Sequence, residues 1–208
     1  MPNSKLLIAT HNQGKIREYR HLLQNISLDL VSLDDLGISE EIKETGATFM
    51  DNAWLKACGY AQLAGMLTLS DDSGLEVDAL GGEPGIHSAR YGGDSCANDE
   101  DRIQLLLHNM AEVPREKRTA RFRCVIAICS REGREASVVG SVAGMIQYQP
   151  EGNEGFGYDP VFYLPSYGQT MSQIPLAAKN RISHRSDATG KAVEALNKLV
   201  ESRSLPSD

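Results

Sequence analysis

The chain has one tryptophan and four cysteines among 208 residues, and Cys58, Cys96, Cys124 and Cys129 show no C-x-x-C spacing. Its five histidines form no H-E-x-x-H or comparable ligand pair, so the common zinc patterns are excluded. Neither G-x-x-x-x-G-K-[ST] nor G-x-G-x-x-G occurs, which removes the standard P-loop and dinucleotide fingerprints. No apolar run approaches the roughly 18 residues of a membrane span, and the first, Leu6-Leu7-Ile8-Ala9, is too short for a signal-peptide core. A cytoplasmic protein without membrane contact is therefore expected. The net charge of −7 argues against a surface that coats nucleic acid, which needs clustered Lys and Arg, but it permits a local basic pocket.

The length suffices for one large domain or two small lobes that fold by core packing, without disulfides or a structural metal. Cys124 and Cys129 lie in an apolar run and read as small core hydrophobes. Apolar spacing predicts a strand over 5–10, a helix over 15–24 and a strand over 28–32. A second helix opens at Thr48-Phe49-Met50-Asp51, which fits a capping box, and stops at Gly65. A strand over 66–70 ends at Asp71-Asp72, and further elements are a helix over 98–110, an antiparallel pair over 120–130 and 134–147, a short strand over 161–164 and a helix over 183–203. The expected class is α/β with a mixed sheet.

Four groups of residues could carry chemistry. Asp71-Asp72-Ser73-Gly74, read at the mouth of a strand, fits either ligation of a hard cation with water or substrate oriented alongside, or an Asx-type turn before Gly74. Thr10-His11-Asn12-Gln13-Gly14-Lys15 offers backbone N–H groups, a hydroxyl, an amide and an ammonium to an anion; it also fits a solvated helix cap. In Phe156-Gly157-Tyr158-Asp159-Pro160 the ring can stack on a flat ligand, Gly157 permits close backbone approach and Asp159 accepts hydrogen bonds, although a tight turn before a strand has the same composition. Lys179 and Ser183-His184-Arg185 place donors near a helix start, or simply cap it.

In order and spacing these blocks resemble the inosine and xanthosine triphosphate pyrophosphatases, and Glu44-Thr45-Gly46-Ala47-Thr48-Phe49 and Ser88-Ala89-Arg90-Tyr91 resemble the bacterial branch. The likeness runs over nearly the whole chain; His11 departs from the Gly or Asn of many relatives. It implies a single domain over residues 1–208, an elongated two-lobed mixed-sheet fold with flanking helices and a central substrate cleft. It also implies magnesium-dependent (Mg2+) hydrolysis of non-standard purine nucleoside triphosphates to the monophosphate and pyrophosphate, by a homodimer.

By the same resemblance, the turn of Thr10, His11, Asn12, Gln13, Gly14 and Lys15 holds the triphosphate, with Lys56 and Ser73 contributing. Glu44 and Asp72 ligate magnesium, and Asp72 is the catalytic residue that accepts the proton of the attacking water. Phe156, Gly157, Tyr158, Asp159, Lys179, His184 and Arg185 meet the base and ribose, with Arg185 donating to the 6-oxo group that adenine lacks. Two alternatives stand beside this reading: a nucleotide-binding sensor without turnover, and a related pyrimidine nucleotide pyrophosphatase.

Overall fold

The computed structural model describes residues 5–204, which divide into two compact units. The first comprises residues 5–72, 124–140 and 185–204, and the second residues 73–123 and 141–184. The strands follow the order β2-β1-β3-β4-β5-β6-β7, where β1 is Lys5–Ile8, β2 Asp29–Ser32, β3 Thr68–Val77, β4 Thr119–Ser130, β5 Gly133–Ile146, β6 Phe162–Leu164 and β7 Gln169–Thr170. The β1 strand runs parallel to β2 and β3, whereas β5–β6 and β6–β7 are antiparallel. The sheet is mixed, as the sequence implied.

In the first unit both faces of β1 are buried, and alternation decides which residue goes where. Leu6 and Ile8 pack with Tyr19 of α1 (Gln13–Leu22) and with Ala188, Ala192 and Leu196 of α5 (His184–Ser204). Leu7 and Ala9 pack on the other side with Leu33 and with Tyr60 of α2 (Phe49–Ala64). Thr48 Oγ1 caps α2 by accepting from Asp51 N, and Gly65 ends it at φ 65°, a conformation that favours glycine. Helices lying on both faces explain the near-continuous apolar run of β1.

The second unit surrounds Leu75, Ile103, Leu106, Met110, Phe122, Ile146 and Phe162. Its helix α3 (Asp99–Asn109) starts with a reciprocal capping box between Asn98 and Asp101, and α4 (Leu176–Ile182) precedes α5 directly. Arg118, only 1% exposed, donates to the carbonyls of Met110, Ile146 and Gln147, so a buried cation here closes backbone valences.

Three features differ from the sequence reading. β3 continues through Asp71, Asp72 and Ser73 to Val77, so the carboxylates lie mid-strand and make no Asx turn. Cations from neighbouring helices stabilise them there, a tertiary effect that overrides local turn preference. Cys129 is not a free thiol: it is bonded to Cys58, 71 residues away, with the Cα atoms 5.1 Å apart. Only the packing of α2 near the end of β4 brings that pair together. Finally, β7 and α4 are additional elements, both too short to show a period.

Candidate active site

Because adjacent strand residues point to opposite faces, Asp71 and Asp72 serve different surroundings. Asp71 is 1% exposed and meets α1 and α5: Lys15 Nζ is 2.9 Å from its Oδ2 and Arg185 Nη2 3.5 Å. Arg185 Nη1 reaches Glu18 Oε2 at 2.5 Å, and the guanidinium lies 5.9 Å from the Tyr19 ring centroid. Burial alone would raise the Asp71 carboxyl, but Lys15, Arg185 and Lys56 prevail and hold it well below the usual carboxylate range. Asp71 Oδ1 is buried and has no hydrogen-bond partner among the described residues.

Asp72 faces α2. Its Oδ1 lies 3.3 Å from Lys56 Nζ, and the same ammonium lies 2.5 Å from Glu44 Oε1. Asn52 Nδ2 donates to Asp72 Oδ2 at 3.2 Å, while Asn52 Oδ1 accepts from Gly46 N at 2.8 Å. Gly46 is confined there, since a Cβ would stand 2.7 Å from Asn52 Oδ1. Burial raises the Asp72 carboxyl, and the lowering by Lys56 and Lys15 does not fully offset it, so its pKa ends above the ordinary value. Lys56 shows the reverse balance: burial lowers it, Asp72, Asp71 and Glu44 raise it, and the charges win.

The turn between β1 and α1 is organised by its own side chains. Asn12 Oδ1 caps α1 by accepting from Lys15 N at 3.1 Å, and Thr10 Oγ1 accepts from Asn12 N at 3.2 Å. Gln13 Nε2 donates to Asp34 at 3.2 Å, and His11 Nε2 lies 3.4 Å from the Tyr60 hydroxyl. Gly14 is within the first turn of α1. Thus the turn is a structured helix start with Lys15 aimed at Asp71.

The remaining expected residues belong to the second unit, apart from Arg185. Asp159 Oδ2 accepts from Lys179 Nζ at 2.7 Å and from Phe156 N at 3.0 Å, and Lys179 Nζ stands 4.9 Å from the Phe156 ring centroid. Gly157 has φ 61°, the left-handed region, which lets the chain reverse. Tyr158 is buried with its hydroxyl donating to Ser88 O at 2.9 Å, and burial raises its pKa strongly. His184 stacks on Phe122 at 4.8 Å and 19°. Ser73 is half-buried in β3.

Glu18 and Asn52 were absent from the sequence reading. Each had a signal: Glu18 stands three residues after Lys15 and Asn52 four before Lys56, the separations that share a helix face. Their burial, 3% and 0% exposed, was not accessible from spacing.

The family model described as the Ham1 family matches residues 6–195. The dITP/XTP pyrophosphatase of Symbiobacterium thermophilum is 47% identical over 201 residues, covering 97% of this chain and 99% of that protein. The dITP/XTP pyrophosphatase of Bacillus subtilis is 43% identical over 195 residues, covering 94% and 96%. Among solved structures, the Staphylococcus aureus Ham1 protein superposes with a TM-score of 0.83 at 37% identity, covering 94% of this chain and 100% of that one. A HAM1 protein from Coxiella burnetii gives 0.84 at 36% identity, covering 94% and 99%.

Proposed function

The chain belongs to the Ham1 family, and from that premise we propose that it hydrolyses non-standard purine nucleoside triphosphates, dITP, ITP and XTP, to the monophosphate and pyrophosphate. The observation that carries the chemistry is the meeting of Glu44 and Asp72 on one cation position, filled by the Lys56 ammonium. A tetra-anionic substrate needs local positive charge whatever the overall balance, and Lys15 and Lys56 supply it.

Magnesium fits this donor set. It takes one or two carboxylates from protein and completes its shell with phosphate oxygens and water, and Glu44 and Asp72 provide that number. When bound, magnesium would add positive charge against the phosphate oxygens as the leaving pyrophosphate develops.

The residues themselves divide the remaining work. Asp72 is the proton acceptor for the attacking water, a role that its place beside Lys56 and Asn52 supports. Asn52 fixes its orientation. Lys15 and Lys56 stabilise the transition-state charge, the larger contribution in phosphoryl transfer. Phe156 stacks on the purine, Asp159, Lys179 and His184 meet its polar edge, and Arg185 donates to the 6-oxo group. Anchorage by Glu18 suits that last role, because a donor held rigidly penalises a mismatched amino group most.

A homodimer in the cytoplasm is the proposed state. The exposed Leu55 and Leu63, two turns apart on α2, are available to a subunit contact. Among the described residues no helix is long and apolar enough to cross a membrane. Light scattering of the purified protein tests the assembly: a monomer mass at micromolar concentration would refute it. Pyrophosphate release from a panel of triphosphates tests the reaction.

A further inference from the structure

The backbone amides of Phe156 and Gly157 are held by two different carboxylates. Phe156 N donates to Asp159 Oδ2 at 3.0 Å, a partner within the same loop. Gly157 N donates to Asp99 Oδ2 at 2.9 Å, a partner 58 residues away at the first position of α3. The carboxylate of Asp99 is itself oriented: its other oxygen, Oδ1, accepts from Arg102 Nη2 at 2.8 Å and Nε at 3.3 Å, and Arg102 Nη1 donates on to Cys96 O at 3.4 Å. Arg102 is mostly buried, so this chain of contacts ties the loop to the body of α3.

We infer that Asp99 is a positioning residue for Phe156, holding the base-stacking ring in place through the Gly157 amide. Gly157, at φ 61°, costs its loop more backbone freedom than any other residue would, and a flexible loop presents a ring at an entropic penalty to binding. Hydrogen bonds to an ionised acceptor are stronger than neutral ones, and this loop has one at each of two consecutive amides. Asp159 orders the loop internally, and Lys179 fixes the ring from the side at 4.9 Å. Neither connects it to a long helix; Asp99 does. The inference rests on the proposed role of Phe156 as the purine platform.

Because stacking on the base is made in ground and transition states alike, its loss appears in KM while kcat is kept. Inosine triphosphate kinetics of Asp99→Ala, Asp99→Asn and Phe156→Ala, with inorganic tripolyphosphate as a baseless competitor, separate the possibilities. Asp99→Ala is expected to raise KM about fivefold, the loss of one hydrogen bond, with kcat and tripolyphosphate inhibition unchanged. Asp99→Asn keeps an amide oxygen to accept from Gly157 N but loses the charge and the Arg102 contact, so its KM should fall between those of the parent and Asp99→Ala. The double variant with Phe156→Ala should be no worse than Phe156→Ala alone. An unaltered KM in Asp99→Ala beside a raised one in Phe156→Ala overturns the inference alone, as does Asp99→Asn behaving like Asp99→Ala; an unaltered KM in Phe156→Ala overturns the platform reading and the inference together.

Discussion

Arg185 Nη1 stands 2.5 Å from Glu18 Oε2 although 167 residues separate them, and both side chains are buried. The pair joins the start of α5 to α1, and through Asp71 it joins β3. Buried ion pairs add little net stability when intact, but removing one partner strands the other charge.

Arg185→Ala should therefore show two effects together. Glu18 and Asp71 lose a buried partner, and stability should fall by about 3–5 kcal/mol in urea titration. Inosine triphosphate turnover should fall more than adenosine triphosphate turnover, narrowing the gap between them. Equal proportional losses on every nucleotide would contradict the base-reading role of Arg185.

Asp72→Asn should remove nearly all turnover, about a hundredfold or more, while the fold is kept. The substituted amide oxygen can still accept from Asn52 Nδ2, and Lys56 keeps Glu44. Circular dichroism checks the fold and pyrophosphate release the loss; substantial remaining turnover would mean another group accepts the proton.

Asn52→Ala should destabilise by about 1–3 kcal/mol, because the Gly46 amide and the Asp72 carboxylate both lose a buried partner. Turnover should fall as well, since Asp72 would lose its orientation. A variant with parental melting temperature and kcat would show that Asn52 fills space only.

Alkaline pH should destabilise the protein. Burial pushes the Cys124 thiol up from 9.0 to about 12, and burial also raises Tyr19 and Tyr158. These groups lose protons earlier in the unfolded chain, so their contribution is complete below the unfolded pKa and is lost as pH rises toward the folded value. Each contributes a slope of about −1.4 kcal/mol per pH unit in that window. Cys124→Ala should flatten the slope above pH 9; an unchanged slope would place the titration elsewhere.

The turn between β1 and α1 was legible because a strand, an Asn cap, a Gly and a Lys follow one another locally. Helix α2 was equally legible from Thr48, its apolar period and Gly65. The environment of Asp71 and Asp72 was not, since Asp-Asp-Ser-Gly carries turn chemistry and only Lys15, Arg185, Lys56 and Asn52 from other elements make a strand of it. The Cys58–Cys129 bond and the Asp99–Gly157 contact depend on approaches across the fold that no spacing rule records.

The most direct test of the account is pyrophosphate release, with and without magnesium, from deoxyinosine, inosine, xanthosine, adenosine, guanosine and thymidine triphosphates at equal concentration. Fast release from the first three that requires magnesium is the expected result. Comparable release from adenosine or thymidine triphosphate, or tight binding of inosine triphosphate without any release, would contradict it.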